Sequence, residues 1–323
     1  MLSRRSLIAA ASAAAIARPA LAQGWRPDRP IRFIVPFVAG GSTDVAARII
    51  ADHMGETLGQ PVVVENRGGS GGNIGGEMVA RAAPDGHTIL MGVTGLLTTN
   101  PHIYKSMPFD PAKDLAPISM AYTSDMVIVV PKSLPVRTLQ EFVAYAKARP
   151  GQLSFGSSGH GASTHTAAEL FRLAAGIDMV HVPYRGSGAA MNDLISGTIQ
   201  MMLIQIAGAV GQIRDGQVRA LAATGPRRHP LLPEIPSVGE AGWPNATATS
   251  WGCVMAPGGT PRPVIDRLNQ AVVEALAAPA VQQRLSGAGV DGVSSTPEAL
   301  AEFIAAEREK WGRVVREARI AVD

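Results

Sequence analysis

From residue 31 onward, short apolar runs alternate with stretches whose apolar positions recur at helical spacing. Ile31-Arg32-Phe33-Ile34-Val35 is a β-branched run that predicts a buried strand. After it, Val45, Ile49, Met54 and Leu58 lie on one helical face, and Gly59-Gln60-Pro61 ends the helix. The unit repeats, with strands predicted over 61–65 and 88–92 and a helix over about 77–83 between them. Strands alternating with helices imply a parallel, doubly wound sheet. Residues 118–130 form a longer extended apolar run, which predicts a strand crossing into a second domain.

In that second domain the alternation restarts. Thr138-Leu139-Gln140-Glu141 reads as a capping box opening a helix to about 148. Strands are predicted over 152–156, 178–183, 199–205 and 218–223, with helices ending near 175, over 189–196 and over 207–215. A Pro/Gly-rich connection over 226–244 leads to a strand at 247–256 and a helix from Pro263. The last helix, about 297–320, carries Leu300, Ile304, Trp311 and Val315 on one side and is expected to cover its own core. The fold class is therefore α/β, with two doubly wound α/β domains joined by crossing strands. Residues 23–122 and 226–323 form one discontinuous domain and 123–225 the other, and closure is expected about 118–130 and 218–225.

The first 22 residues stand apart from this pattern. Arg4-Arg5 precede an Ala-rich apolar stretch, and Ala20-Leu21-Ala22 is a small-residue cleavage site, so a signal peptide cleaved after Ala22 is expected. Ser3-Arg4-Arg5-Ser6-Leu7 fits either the general secretory or the twin-arginine route, and both place the product in the periplasm. The segment holds three of the 29 basic residues and none of the 26 acidic ones, so the remainder is neutral where the full chain is +3. No basic cluster interleaved with aromatics remains to suggest nucleic acid. No later apolar run approaches the roughly 20 residues needed to span a bilayer. Cys253 is the single cysteine, set in an apolar run, and reads as a core thiol.

Candidate chemistry gathers where strands end in Gly, Ser and Thr: 40–43, 68–76, 94–95, 156–164 and 185–188. Ligands of open α/β sheets bind outside the carboxyl ends of strands. Backbone N–H groups, helix N-termini and hydroxyls at that edge suit a carboxylate. The first of these turns joins strand to helix, and Ser42 or Thr43 is placed to cap that helix. The candidate contacts are Phe37, Gly40, Gly41, Ser42, Thr43, Thr94, Ser157, Ser158, Gly159, Thr164, Arg185, Gly186 and Gln205. Gly68-Gly69-Ser70-Gly71-Gly72 matches a nucleophile elbow, which makes a serine hydrolase using Ser70 the alternative, although no acid–histidine pair completes a triad. The seven histidines show no metal-ligand spacing, and no nucleotide loop occurs, so neither a metal nor a cofactor is expected.

Six motifs, in order, carry a family resemblance: Pro30–Phe37 followed by Gly40-Gly41-Ser42-Thr43-Asp44, Pro61–Arg67, Gly71–Gly75, Ala83–Thr88, His181–Gly186 and Pro233–Val238. The chain beyond residue 22 resembles the periplasmic solute-binding receptors of tripartite tricarboxylate transporters, the Bug receptors. The resemblance implies a type II periplasmic-binding-protein-like clamshell that closes on a small organic carboxylate. It also implies a monomer that delivers its ligand to membrane permease subunits and performs no catalysis. By that likeness the turn at 40–43 and the loop at 157–164 grip carboxylates, partly through water. Two departures are visible. Val38-Ala39 stand where the family usually has Pro-Pro or Ala-Pro, and Ile204-Gln205 where an Asp-Asn type pair is common.

Overall fold

The computed structural model describes residues 25–184 and 186–320, so the expected signal peptide lies outside it. The first lobe opens with β1 (Ile31–Val35), α1 (Ser42–Leu58), β2 (Val62–Asn66), α2 (Asn73–Ala80) and β3 (Thr88–Val93). A π turn over Gly95–Thr99 and a short helix α3 (Asn100–Ile103) follow, and then β4 (Leu115–Pro131). The second lobe comprises α4 (Leu139–Lys147), β5 (Ser154–Ser157), α5 (Ser163–Ala175), β6 (Val180–Pro183), α6 (Ser187–Ser196), β7 (Met201–Gln205), α7 (Val210–Arg214) and β8 (Val218–Ala223). The chain returns through β9 (Thr249–Pro257), α8 (Arg262–Ala277), α9 (Pro279–Gly287), β10 (Asp291–Gly292) and α10 (Pro297–Ala318).

The strands run β2-β1-β3-β9-β4-β7-β5-β6, with β8 and β10 also paired to β4. Pairing is parallel for β1–β2, β1–β3, β5–β6 and β5–β7, as the alternation predicts. It is antiparallel wherever β4 or β9 takes part. The 17-residue β4 serves both lobes: Leu115 to Asp125 pair with β9, and Met126 onward with β7 and β8. Because side chains alternate across a strand, its second half feeds two cores. Met126, Ile128 and Val130 join Phe142, Phe155 and Phe171 on one face, while Val127 and Val129 join Met202 and Ile204 on the other. In the first lobe β1 does the same, with Phe33 packed among Ile50, Met54 and Leu268 and Ile34 among Leu96, Trp251 and Cys253. Burial pushes the Cys253 thiol well above the usual range, which fits an inert core residue.

The second crossing lies later than the sequence suggests. β8 belongs wholly to the second lobe, Val238, Ala241, Ala246 and Ala248 beyond it still pack in that lobe's core, and the chain crosses at Ala248-Thr249, where β9 begins to pair with β4. Thr224 is fully buried there, bonding Ala248 O at 2.6 Å and accepting from Met126 N at 3.2 Å. Beside it, Thr249 donates to Asp125 at 3.1 Å. Gly225 is required at this point, since a Cβ would sit 1.9 Å from the Asp125 carboxylate.

Two further differences have clear causes. The predicted helix at 77–83 begins at Asn73, because Gly75 and Gly76 pack where a Cβ would lie 2.9 Å from Arg67 O and 2.6 Å from Phe109. The last helix covers both lobes: Leu300 packs with Trp251 in the first, Trp311 and Val314 in the second. Glu307 accepts from both indoles, Trp251 at 3.1 Å and Trp311 at 2.8 Å.

Candidate ligand-binding cleft

Neither Ser42 nor Thr43 caps α1. The N-cap is Gly41, and no side chain bonds the first-turn N–H groups. The reason is Asp44, which the turn uses as its own anchor. It accepts from Gly40 N (2.9 Å), Asn66 Nδ2 (2.9 Å) and Arg48 Nε (3.2 Å), and Asn66 Nδ2 also reaches Phe37 O (3.0 Å). Burial would raise the Asp44 pKa, but the bonds from Arg48, Gly40 and Asn66 outweigh it and hold the carboxyl below its usual value. The N–H groups at the start of α1 are thereby left for a ligand.

The second lobe repeats the device. Helix α5 begins at Ser163 after Ala162, again with no side-chain cap. The loop before it is tied internally. Ser157, fully buried, bonds His181 Nε2 at 2.7 Å and Gly159 O at 3.0 Å. Thr164 Oγ1 accepts from Ser158 N (3.0 Å) and pairs with Ser158 Oγ (2.8 Å).

These two helix starts border one cavity of about 370 Å³ between the lobes, reached by Ser42 and Thr43 from one side and by Ala162 and Ser163 from the other. Of the sequence candidates, Phe37, Ser42, Thr43, Thr94, Ser158, Gly159 and Gln205 line it. Thr94 contributes only wall, its hydroxyl being engaged with Trp251 N (3.0 Å) and O (3.2 Å). Gly40 and Gly41 shape the turn without lining the cavity, and Gly186 caps α6, whose first residues line an adjoining cavity instead. Ser157 and Thr164 are not in the wall either, because both hydroxyls serve the loop itself. Arg185 lies outside the described residues.

The sequence reading missed Tyr122 and Ser124 on β4, Asn100 and Tyr104 near α3, Ser163, and Ser250 on β9. Polar residues inside the apolar crossing strand were the available signal for the first two. Tyr122 bonds Thr43 Oγ1 at 2.9 Å, and burial pushes its hydroxyl up to about 12, so it stays protonated. No carboxylate, lysine or arginine among the described residues lines this cavity.

Folding also assembles a histidine group that linear spacing did not reveal. Candidate ligand atoms of His160, His165 and His181 lie within 4.8 Å of one another. His165 and His181 stack with centroids 3.7 Å apart and planes at 7°. Imidazole lone pairs lie in the ring plane, so two parallel stacked rings do not converge on one ion. Burial, with His160 nearby, lowers His165 to about 3 and His181 to about 4, so the stack is neutral and packs as an aromatic pair. Ser70, the nucleophile of the alternative reading, is exposed with φ 49°. Among the described residues no histidine or carboxylate hydrogen-bonds its hydroxyl.

Two α/β lobes, crossing strands and an interlobe cavity walled by uncapped helix starts define a clamshell binding protein of the periplasmic type. Residues 46–320 match the model of the tripartite tricarboxylate transporter family receptor, and the chain belongs to that family. Protein BugT of Bordetella pertussis (strain Tohama I / ATCC BAA-589 / NCTC 13251) is 39% identical over 305 residues, covering 94% of this chain and 93% of its own. Among solved structures, R. palustris Rpa4515 with adipate is 34% identical with a TM-score of 0.80, covering 91% of this chain and 99% of that one. MatC from Rhodopseudomonas palustris with bound malate is 33% identical with a TM-score of 0.76, covering 90% and 99%.

Proposed function

We propose that the protein is a periplasmic receptor that captures a small organic carboxylate between its lobes and hands it to the permease of a tripartite tricarboxylate transporter, with no chemical step. The observation that carries this reading is the pair of uncapped helix N-termini, from opposite lobes, on one cavity whose wall, among the described residues, holds no carboxylate, lysine or arginine. Helix starts attract anions through free N–H groups and the dipole. Adipate and malate in the two related structures are both carboxylates, which supports the same ligand class here. The N-terminal segment with its small-residue cleavage site supports export.

The same wall argues against an amino acid. A buried ammonium needs a carboxylate or several acceptors, and the cavity offers Gln205, Asn100, His160 and hydroxyls but no acid among the described residues. Asp44 is committed to Gly40, Asn66 and Arg48. In a thermal-shift panel pairing amino acids with their deaminated analogues, glutarate and not glutamate should stabilise the protein. Stabilisation by the amino acids alone would contradict the proposal.

A further inference from the structure

A second cavity, of about 590 Å³, adjoins the first, and Ser42, Ser124 and Gln205 line both. Its floor is apolar. Met191 and Ile195 sit one helical turn apart on α6, and Ile204 lies at the end of β7. Its rim is amide. Asn192, Gln212 and Gln217 have side-chain groups with no hydrogen-bond partner among the described residues. Both lobes contribute, since Ala207 of the second meets Gly289 of the first at its edge, so closely that a Cβ on Gly289 would lie 2.0 Å from that of Ala207. No ionisable side chain among the described residues faces this space.

We infer that the bound acid is elongated, with a carboxylate at the paired helix starts and a largely apolar body of about six or more non-hydrogen atoms over the floor of this second compartment. The inference rests on the carboxylate reading above and narrows it to acids such as arylalkanoates. Compartment chemistry supplies the reasons. An apolar floor gains from covering a ring or chain, and free amides supply donors and acceptors for polar groups on its edge. At its edge Ser187 and Gly188 open α6, which has no side-chain cap, so a polar tip of the ligand can reach free N–H groups there. A two- to four-carbon acid would leave the space to water.

The test is calorimetric titration with propionate and 3-phenylpropanoate, which differ only by the ring. The wild type should bind the aryl acid at least tenfold more tightly. Ile195→Trp and Asn192→Trp each narrow the compartment on the partly exposed side of α6. Each should cut aryl-acid affinity at least fivefold while leaving propionate within about twofold. Equal affinities for the two acids in the wild type would overturn the inference while leaving the carboxylate reading standing. So would variants that weaken both acids alike. If neither acid binds while glutarate does, the inference falls and the carboxylate reading stands; if none of the three binds, both fall.

Discussion

Ser42→Pro and Ser163→Pro should each lower carboxylate affinity tenfold or more without destabilising the protein. Both residues occupy the first position of an uncapped helix. Proline is well tolerated there, because its fixed φ suits the helix and the lost N–H has no partner within it. The preceding residues already have the extended conformation that proline demands, Gly41 at φ −76°, ψ 164° and Ala162 at φ −63°, ψ 157°. What the substitution removes is a donor bordering the cavity, together with a hydroxyl. A hydrogen bond to a charged group contributes about 1.5–3 kcal/mol, or roughly ten- to a hundredfold in affinity. Binding by calorimetry and unfolding in urea, measured on the same variants, separate the two effects. Unchanged affinity in both would mean that the helix starts do not hold the ligand.

Asp44→Ala should be the more damaging change, because it strikes both stability and binding. The carboxylate is 3% exposed and holds Gly40 N, Asn66 and Arg48 at once. Its removal leaves those donors unpaired at about 1–3 kcal/mol of stability and releases the turn that carries Phe37, Ser42 and Thr43. Affinity should fall more than tenfold. A pH dependence follows from the depressed Asp44 pKa. A carboxyl whose folded pKa lies below its unfolded one contributes fully above about pH 4 and progressively less as pH falls through the folded value. Wild-type stability to urea should therefore drop below about pH 4 more steeply than that of Asp44→Ala. Parallel pH profiles would show that Asp44 is not the anchor.

What the sequence made legible was local. Thr138 caps its helix as predicted, accepting from Glu141 N at 3.1 Å, although the Glu141 carboxylate reaches Arg137 N, one residue before the cap, instead of closing the box on Thr138 N. The strand–helix alternation and the crossing at β4 are likewise consequences of apolar periodicity. The misreadings came from tertiary partners that no local pattern encodes. Asp44 stood out only as part of a motif, yet Asn66, 22 positions away, makes it the anchor of the turn. Ser157 looked free to bind a ligand, but His181 claims its hydroxyl from the neighbouring strand. Tyr122 reached the site through the register of β4, which only the folded sheet fixes.

Amide NMR of the labelled protein titrated with 3-phenylpropanoate tests the central claim most directly, because a charge-assisted bond to a carboxylate moves the donor proton downfield. The backbone amides of Ser42, Thr43 and Ser163 should shift downfield together and saturate with one binding constant. Saturable binding that leaves all three amides in place would contradict the account.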